Sequence, residues 1–189
     1  MASAGTPSSV IARFAALLDE AAVPYMLTGS YASGIHGQPR ASQDIDFVIA
    51  PTLGSLKQLL ALLPEDEFYV SREAALDAYG RESLFNVVDM ASGWKVDLIC
   101  RKSRQFSLTE FERRRPQEIE GRSVFVTSAE DAVLSKLEWA SATESERQLE
   151  DAAGIVAIQG DDLDTEYIEK WAATLGLTTE WQQVRALAR

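Results

Sequence analysis

The chain has 189 residues, 46% of them hydrophobic, and a formal net charge of -11. That is enough apolar material for one sizeable core, or for one domain with a helical extension, and too much for a disordered chain. The acidity argues against broad, salt-sensitive binding to a nucleic-acid backbone, while leaving room for recognition of one nucleotide or one RNA end at a local basic spot.

No apolar run approaches the roughly 20 residues of a membrane helix, so no membrane partner is expected. Residues 1–9 lack a basic start and an apolar stretch, and read as a flexible tail rather than a signal peptide. Apolar residues at Val10, Ile11, Phe14, Leu17, Leu18 and Ala21 then follow helical spacing, with Ser8 or Ser9 as the expected cap. Pro24 stops this helix, and residues 25–28 read as a short strand ending at Gly29. The small residues of 30–37 suggest a short helix, Gln38-Pro39-Arg40 a loop, and the β-branched and aromatic residues of 45–50 a strand. A second amphipathic helix is predicted over 53–63, ended by Pro64. A short strand at 68–70 and a helix over 73–79 follow.

Residues 84–90 and 94–100 form a predicted hairpin around Ala91-Ser92-Gly93, and 117–119 with 123–127 another about Gly121. From Ser128 the pattern turns helical. Ser128-Ala129-Glu130-Asp131 resembles a capping box opening a helix to about Ala142. Further helical patterns run over 144–158, 164–175 and 179–187. The expected fold class is α/β (α+β): a mixed-sheet core over residues 1–127, flanked by helices, with a helical region over 128–189 packed on it as one compact unit.

Cys100 is the only cysteine and His36 the only histidine. An intrachain disulfide and a Cys/His zinc site are therefore excluded, a cytoplasmic setting fits, and any metal must be held mainly by oxygen. The oxygen ligands stand out in one stretch, Asp44-Ile45-Asp46. Residues two apart on a strand face the same side, so these carboxylates project together, roughly 6 to 7 Å apart at the backbone. Their repulsion, about 2 to 3 kcal/mol if partly solvated, is relieved by a Mg²⁺ ion between them. Asp97 interrupts the otherwise apolar run Val96 to Ile99. If its strand lies beside 45–50, three carboxylates meet on one sheet face, enough for two metals, and Asp97 is also a candidate base for an attacking hydroxyl. Gly29 permits close approach to a phosphate, the helix after it offers free amides, and the Ser30 hydroxyl adds a hydrogen bond. Arg40 is placed to neutralise phosphate charge.

The apolar residue Leu27, then Gly29-Ser30, then Asp44-Ile45-Asp46 with 13 residues between Ser30 and Asp44, resembles the nucleotidyltransferase superfamily, with Asp97 matching its third carboxylate. His36-Gly37 and Arg40-Ala41-Ser42-Gln43 are similar to the subgroup related to abortive-infection toxins, the minimal nucleotidyltransferases. So are the helix carrying Lys136 and the segment from Arg147 to Asp151. The resemblance covers about residues 24–155. It implies a polymerase beta-like nucleotidyltransferase fold and two-metal transfer of a nucleoside monophosphate from a nucleoside triphosphate to a hydroxyl or phosphate acceptor. Mg²⁺ or Mn²⁺ would be held by Asp44, Asp46 and Asp97, and the triphosphate by Gly29, Ser30, Arg40 and Lys136. The acceptor is open: an RNA end, a protein or a small molecule of aminoglycoside type. A toxin would have a cognate antitoxin protein as partner, and a non-catalytic relative would bind only a nucleotide or a partner.

Plainer roles stand beside these. Lys136 reads as a solvated helix lysine without the resemblance. His36 is structural or a weak substrate contact. Trp94, Trp139, Trp171 and Trp181 are core or interface aromatics. Arg113-Arg114-Arg115 is a solvated helix end near Pro116, or a guide for a nucleotide substrate.

Overall fold

Seven strands are found among the described residues, 5–188 of the computed structural model. They are β1 (Tyr25–Thr28), β2 (Asp44–Ile49), β3 (Phe68–Val70), β4 (Leu84–Asp89), β5 (Lys95–Cys100), β6 (Arg115–Ile119) and β7 (Arg122–Val126). They form one sheet in the order β3-β4-β5-β2-β1-β7-β6. The pairs β2–β5 and β1–β7 are parallel, whereas β3–β4, β4–β5 and β6–β7 are antiparallel. Both predicted hairpins are present. The turn of β6–β7 has Glu120 and Gly121 at φ of 51° and 71°. Two successive left-handed residues suit the twist of a tight hairpin.

The helix α1 (Pro7–Glu20) begins earlier than its apolar spacing suggests. Thr6, not Ser8 or Ser9, caps it, accepting from the Ser9 amide at 3.2 Å, and Pro7 occupies a first-turn position where its missing N–H is no loss. Residues 6–9 are therefore cap and helix rather than tail. Residues 1–4 of the expected tail lie outside the described residues.

The chain divides into two compact units. The first contains the residues up to Leu27 together with Ser42–Val126. The second contains Thr28–Ala41 and the residues from Thr127 onward. The contacts thus group 28–41 with the C-terminal helices.

In the first unit, α1, α3 (Leu53–Ala61), α4 (Arg72–Arg81) and α5 (Gln105–Glu112) accompany the sheet. Phe14 of α1 meets Phe68 of β3 edge-on, with centroids 5.7 Å apart. Phe111 of α5 packs on Met26 and Val48. The three arginines that follow do close the helix, with Arg114 donating to the Phe111 carbonyl, but Arg114 is stacked rather than solvated. Arg113 is the C-cap of α5, Arg114 lays its guanidinium over Phe111 and Phe125 at 4.3 and 4.9 Å, and Arg115 opens β6. Pro116 lies in β6, at the edge of the sheet, where a missing N–H is tolerated. Cys100 ends β5 opposite Ile49 and is buried. Burial, with Glu82 adding to it, pushes its thiol up to about 11.

The second unit consists of α2 (Gly29–His36), α6 (Ala129–Thr143), α7 (Glu146–Gln159), a 3₁₀ turn (Gly160–Asp162), α8 (Thr165–Leu175) and α9 (Thr178–Leu187). Ser128 caps α6 as expected, accepting from the Asp131 amide at 3.2 Å and donating to the Asp131 carboxylate at 2.7 Å. Tyr167 of α8 donates to the other oxygen of that carboxylate at 2.6 Å. Gly37, just after α2, lies so close to α7 that a Cβ there would stand 2.8 Å from the Ile155 nitrogen. Of the tryptophans, Trp181 is buried at 3% exposure, but Trp139 is 55% exposed and so is not a core residue. No helix among the described residues is long and apolar enough to cross a membrane.

Candidate functional site

The register of β2 and β5 decides what the acidic residues can do. Asp46 is the Cα partner of Asp97, and Asp44 that of Lys95. Since strand residues alternate faces, Asp44, Asp46, Lys95 and Asp97 share one side of the pair. The alternate residues Ile45, Phe47, Val96 and Leu98 are buried and anchor the strands. The three carboxylates singled out in the sequence are thus brought together on neighbouring strands.

They are not arranged as a ready-made metal cage. Among the described residues, no three His, Cys, Asp or Glu side chains converge closely enough to hold an ion as they stand. A lysine that sequence reasoning did not single out lies among them. Lys95 Nζ donates to Asp97 Oδ2 at 3.2 Å and lies 3.2 Å from Asp44 Oδ1. Burial works against its charge, but hydrogen bonds to Asp97 and Asp44 outweigh that, and its pKa is raised. Asp97 Oδ1 is buried and has no hydrogen-bond partner. An orphaned carboxylate oxygen calls for a ligand, and an all-oxygen set with waters and phosphates suits Mg²⁺. The residues therefore fit a divalent cation. Beside Asp44 an open depression of roughly 360 Å³ is lined by Gln43, Asp44, Ser92, Gly93, Trp94 and Lys95.

In the second unit, Gly29 directly follows β1 with φ of 66°, a left-handed conformation that favours glycine, and starts α2. Thr28 precedes that helix without a side-chain capping bond. Arg40 and Lys136 are joined through Asp151, and Ser30 is joined to them through Arg40. Arg40 holds the carboxylate in a fork, Nε to Oδ1 at 2.8 Å and Nη2 to Oδ2 at 2.8 Å, and Lys136 Nζ donates to Oδ2 at 2.8 Å. Arg40 Nη2 also donates to Ser30 Oγ at 2.7 Å. Burial alone would raise the Asp151 carboxyl, yet the hydrogen bonds from Arg40 and Lys136 prevail and hold it below the ordinary carboxylate range. Lys136 is not a solvated helix lysine, for its side chain is only 6% exposed. His36 has a structural part: its Nε2 is 2.7 Å from the Thr127 carbonyl, and its own carbonyl accepts from Gln159 at 2.7 Å.

The missed residues left different traces. Lys95 is two residues before Asp97, so the period of a strand already placed it on the same face. Asp151 falls in the segment whose likeness to the toxin-related subgroup was noted. Its partner Arg40 is 111 residues away, and no local pattern announces the pair.

No family model matches the chain, and no curated protein matches it. Solved structures do. The lincosamide antibiotic adenylyltransferase LnuA, lincomycin-bound, is 11% identical, over 82% of this chain and 99% of its own, with a TM-score of 0.57. An antigenic nucleotidyltransferase-like protein from Paracoccidioides brasiliensis is 16% identical, over 93% of this chain and 92% of its own, at 0.56. ANT(2")-Ia, in complex with adenylyl-2"-tobramycin, is 17% identical, over 97% of each chain, at 0.52. At these identities the likeness shows the fold, which is a mixed α/β architecture of nucleotidyltransferase type.

Proposed function

We propose, from that fold, that the chain is a magnesium-dependent nucleotidyltransferase that moves a nucleoside monophosphate from a nucleoside triphosphate to a hydroxyl or phosphate acceptor. The observation that carries the reading is the β2–β5 register, with Asp46 beside Asp97 and Asp44 two residues away. A pure interaction protein has no use for like charges gathered on one strand face, where each adds repulsion.

In this reading Asp44, Asp46 and Asp97 hold Mg²⁺ or Mn²⁺. Bound there, the cation would draw charge from the phosphates and favour ionisation of an attacking hydroxyl. The Gly29 and Ser30 backbone at the start of α2, the Ser30 hydroxyl, Arg40 and Lys136 bind the triphosphate oxygens. The acceptor oxygen attacks the α-phosphorus, the bond from that phosphorus to the bridging oxygen breaks, and pyrophosphate leaves. Asp97, as ligand or base, is the group suited to take the hydroxyl proton and pass it to solvent. Most of the acceleration would come from positioning and charge neutralisation.

The test is calorimetric titration of the four nucleoside triphosphates, with and without Mg²⁺, on the native chain and on Asp44→Ala/Asp46→Ala. Metal-dependent binding of at least one triphosphate is expected, weakened in the double variant by more than the roughly 100-fold that loss of a mere supporting residue can cost. No binding to any triphosphate would leave the non-catalytic reading of a partner-binding relative of the fold.

Two acceptor classes follow from different observations. Likeness to ANT(2")-Ia favours a small cationic molecule of aminoglycoside type, and likeness to the lincosamide adenylyltransferase LnuA a small-molecule acceptor more broadly. The depression beside Asp44, of a size that small-molecule sites have, and the net charge of -11 agree with it. The resemblance of Arg40-Ala41-Ser42-Gln43, the helix carrying Lys136 and the segment from Arg147 to Asp151 to the toxin-related subgroup favours a toxin that modifies RNA or protein and is restrained by an antitoxin. Incubation with α-labelled triphosphate and each acceptor class separates them by which one becomes labelled.

A further inference from the structure

We propose that Lys95 is the resident counter-ion of the acidic strands, and that the site takes its divalent metal together with a triphosphate rather than as the free ion. The inference rests on the metal-binding part of the function proposed above.

The ammonium and a divalent cation want the same carboxylates, the ammonium on Asp97 Oδ2 and the metal on the unpaired Asp97 Oδ1. Lys95 Nζ sits 3.2 Å from both Asp44 Oδ1 and Asp97 Oδ2. Mg²⁺ needs such oxygens at about 2.0–2.1 Å in near-octahedral array and gives up water reluctantly. Two cations on the two oxygens of one carboxylate repel at such range, so the ammonium is pushed off as the metal arrives. The absence of a three-acid cluster among the described residues agrees with a site held by lysine.

The side chain is able to move. Lys95 is 39% exposed on a flexible four-carbon stem, whereas Asp97 is 15% exposed and fixed in its strand. For a free metal ion the exchange is unfavourable, since it strips Lys95 of both carboxylates and offers no new partner. A metal–triphosphate complex brings phosphate oxygens to which the released ammonium can pair. Lys95 thereby guards against occupancy without substrate and becomes a phosphate contact once substrate is present. It is a positioning residue until then, holding Asp44 and Asp97 at fixed spacing.

The probe is Mn²⁺ alone, followed by the paramagnetic resonance of the unbound ion. Titrations compare the native chain with Lys95→Met, which keeps the stem without the charge, and Lys95→Gln, which keeps a hydrogen-bond donor should Lys95→Met fold poorly. Without nucleotide, the variants are expected to bind Mn²⁺ at least about tenfold more tightly than the native chain. Their melting temperature should be lower than native in chelator and should rise more on adding Mn²⁺. With triphosphate present, the native chain should gain Mn²⁺ affinity and the variants gain less. Equal or weaker Mn²⁺ binding by both variants overturns the inference. If that happens while the native chain still binds Mn²⁺ with triphosphate, the proposed function survives alone. Conversely, tighter Mn²⁺ binding by the variants with no triphosphate bound by any chain upholds the counter-ion and overturns both the coupling to substrate and the nucleotidyltransferase reading.

Discussion

Asp151 is the carboxylate on which two cations of the second unit converge, and its removal tests how much that arrangement matters. Asp151→Asn keeps the shape but leaves Lys136, with its side chain 6% exposed, facing a neutral amide. Leaving a buried charge without its partner costs about 3 kcal/mol. We expect a loss of that order in urea unfolding at pH 7, followed by the fluorescence of the four tryptophans. Because the folded Asp151 pKa is depressed, its stabilisation is complete above the ordinary carboxyl value near 4 and fades as the pH falls through the lower folded value. Native and variant curves should therefore converge in acid. A deficit that stayed constant down to about pH 2 would mean that shape, not charge, is what Asp151 supplies.

The helices of the second unit depend on how closely their backbones approach. The Cβ added by Gly37→Ala would meet backbone atoms of Gly154 and Ile155 at 2.8 to 3.0 Å, and backbone cannot swing aside. Overpacking of this kind costs about 1–3 kcal/mol. By contrast, Gly154→Ala meets only ordinary contacts at 3.8 Å with Gln38 and replaces a helix-interior glycine, so it should be neutral or stabilising by up to about 1 kcal/mol. Thermal unfolding of the two variants checks the contrast. Equal effects would show that the approach of Gly37 to α7 is not a constraint. At this scale the sequence was informative wherever the cue was local. Gly121 marked a hairpin, Ser128 a helix start, and the alternation over 84–90 and 94–100 a strand pair. Thr6-Pro7 was an equally local cap signal, but the polar run around it read as tail.

For the molecule as a whole, legibility ended where partners are far apart in the chain. Strand period alone put Asp44 and Asp46 on one face, yet nothing local says that β2 runs parallel to β5, about 50 residues later, with Asp46 in register with Asp97. The expected convergence was conditional on that pairing, and the sheet order supplies it. Lys95 escaped notice because a lysine flanking a strand ordinarily lies in solvent; only a neighbouring strand makes it a partner of two carboxylates. Asp151 became meaningful once Arg40 and Lys136 were seen to close on it from either side of the sequence.

The single thiol of the chain closes β5, the strand that carries Lys95 and Asp97. With its pKa pushed up to about 11 it is almost wholly protonated at pH 8, with a thiolate fraction on the order of one in a thousand. Buried at 4% exposure on the face of β5 that carries Val96 and Leu98, Cys100 meets a disulfide reagent only when this end of the sheet opens. Its labelling rate is a clock for that opening, needing no introduced probe and no added cysteine. Native labelling should be orders of magnitude slower than in urea, and ligands that tie the acidic strands together should slow it further. Prompt reaction in the native state would mean that the end of β5 opens readily although Cys100 is buried when the sheet is closed.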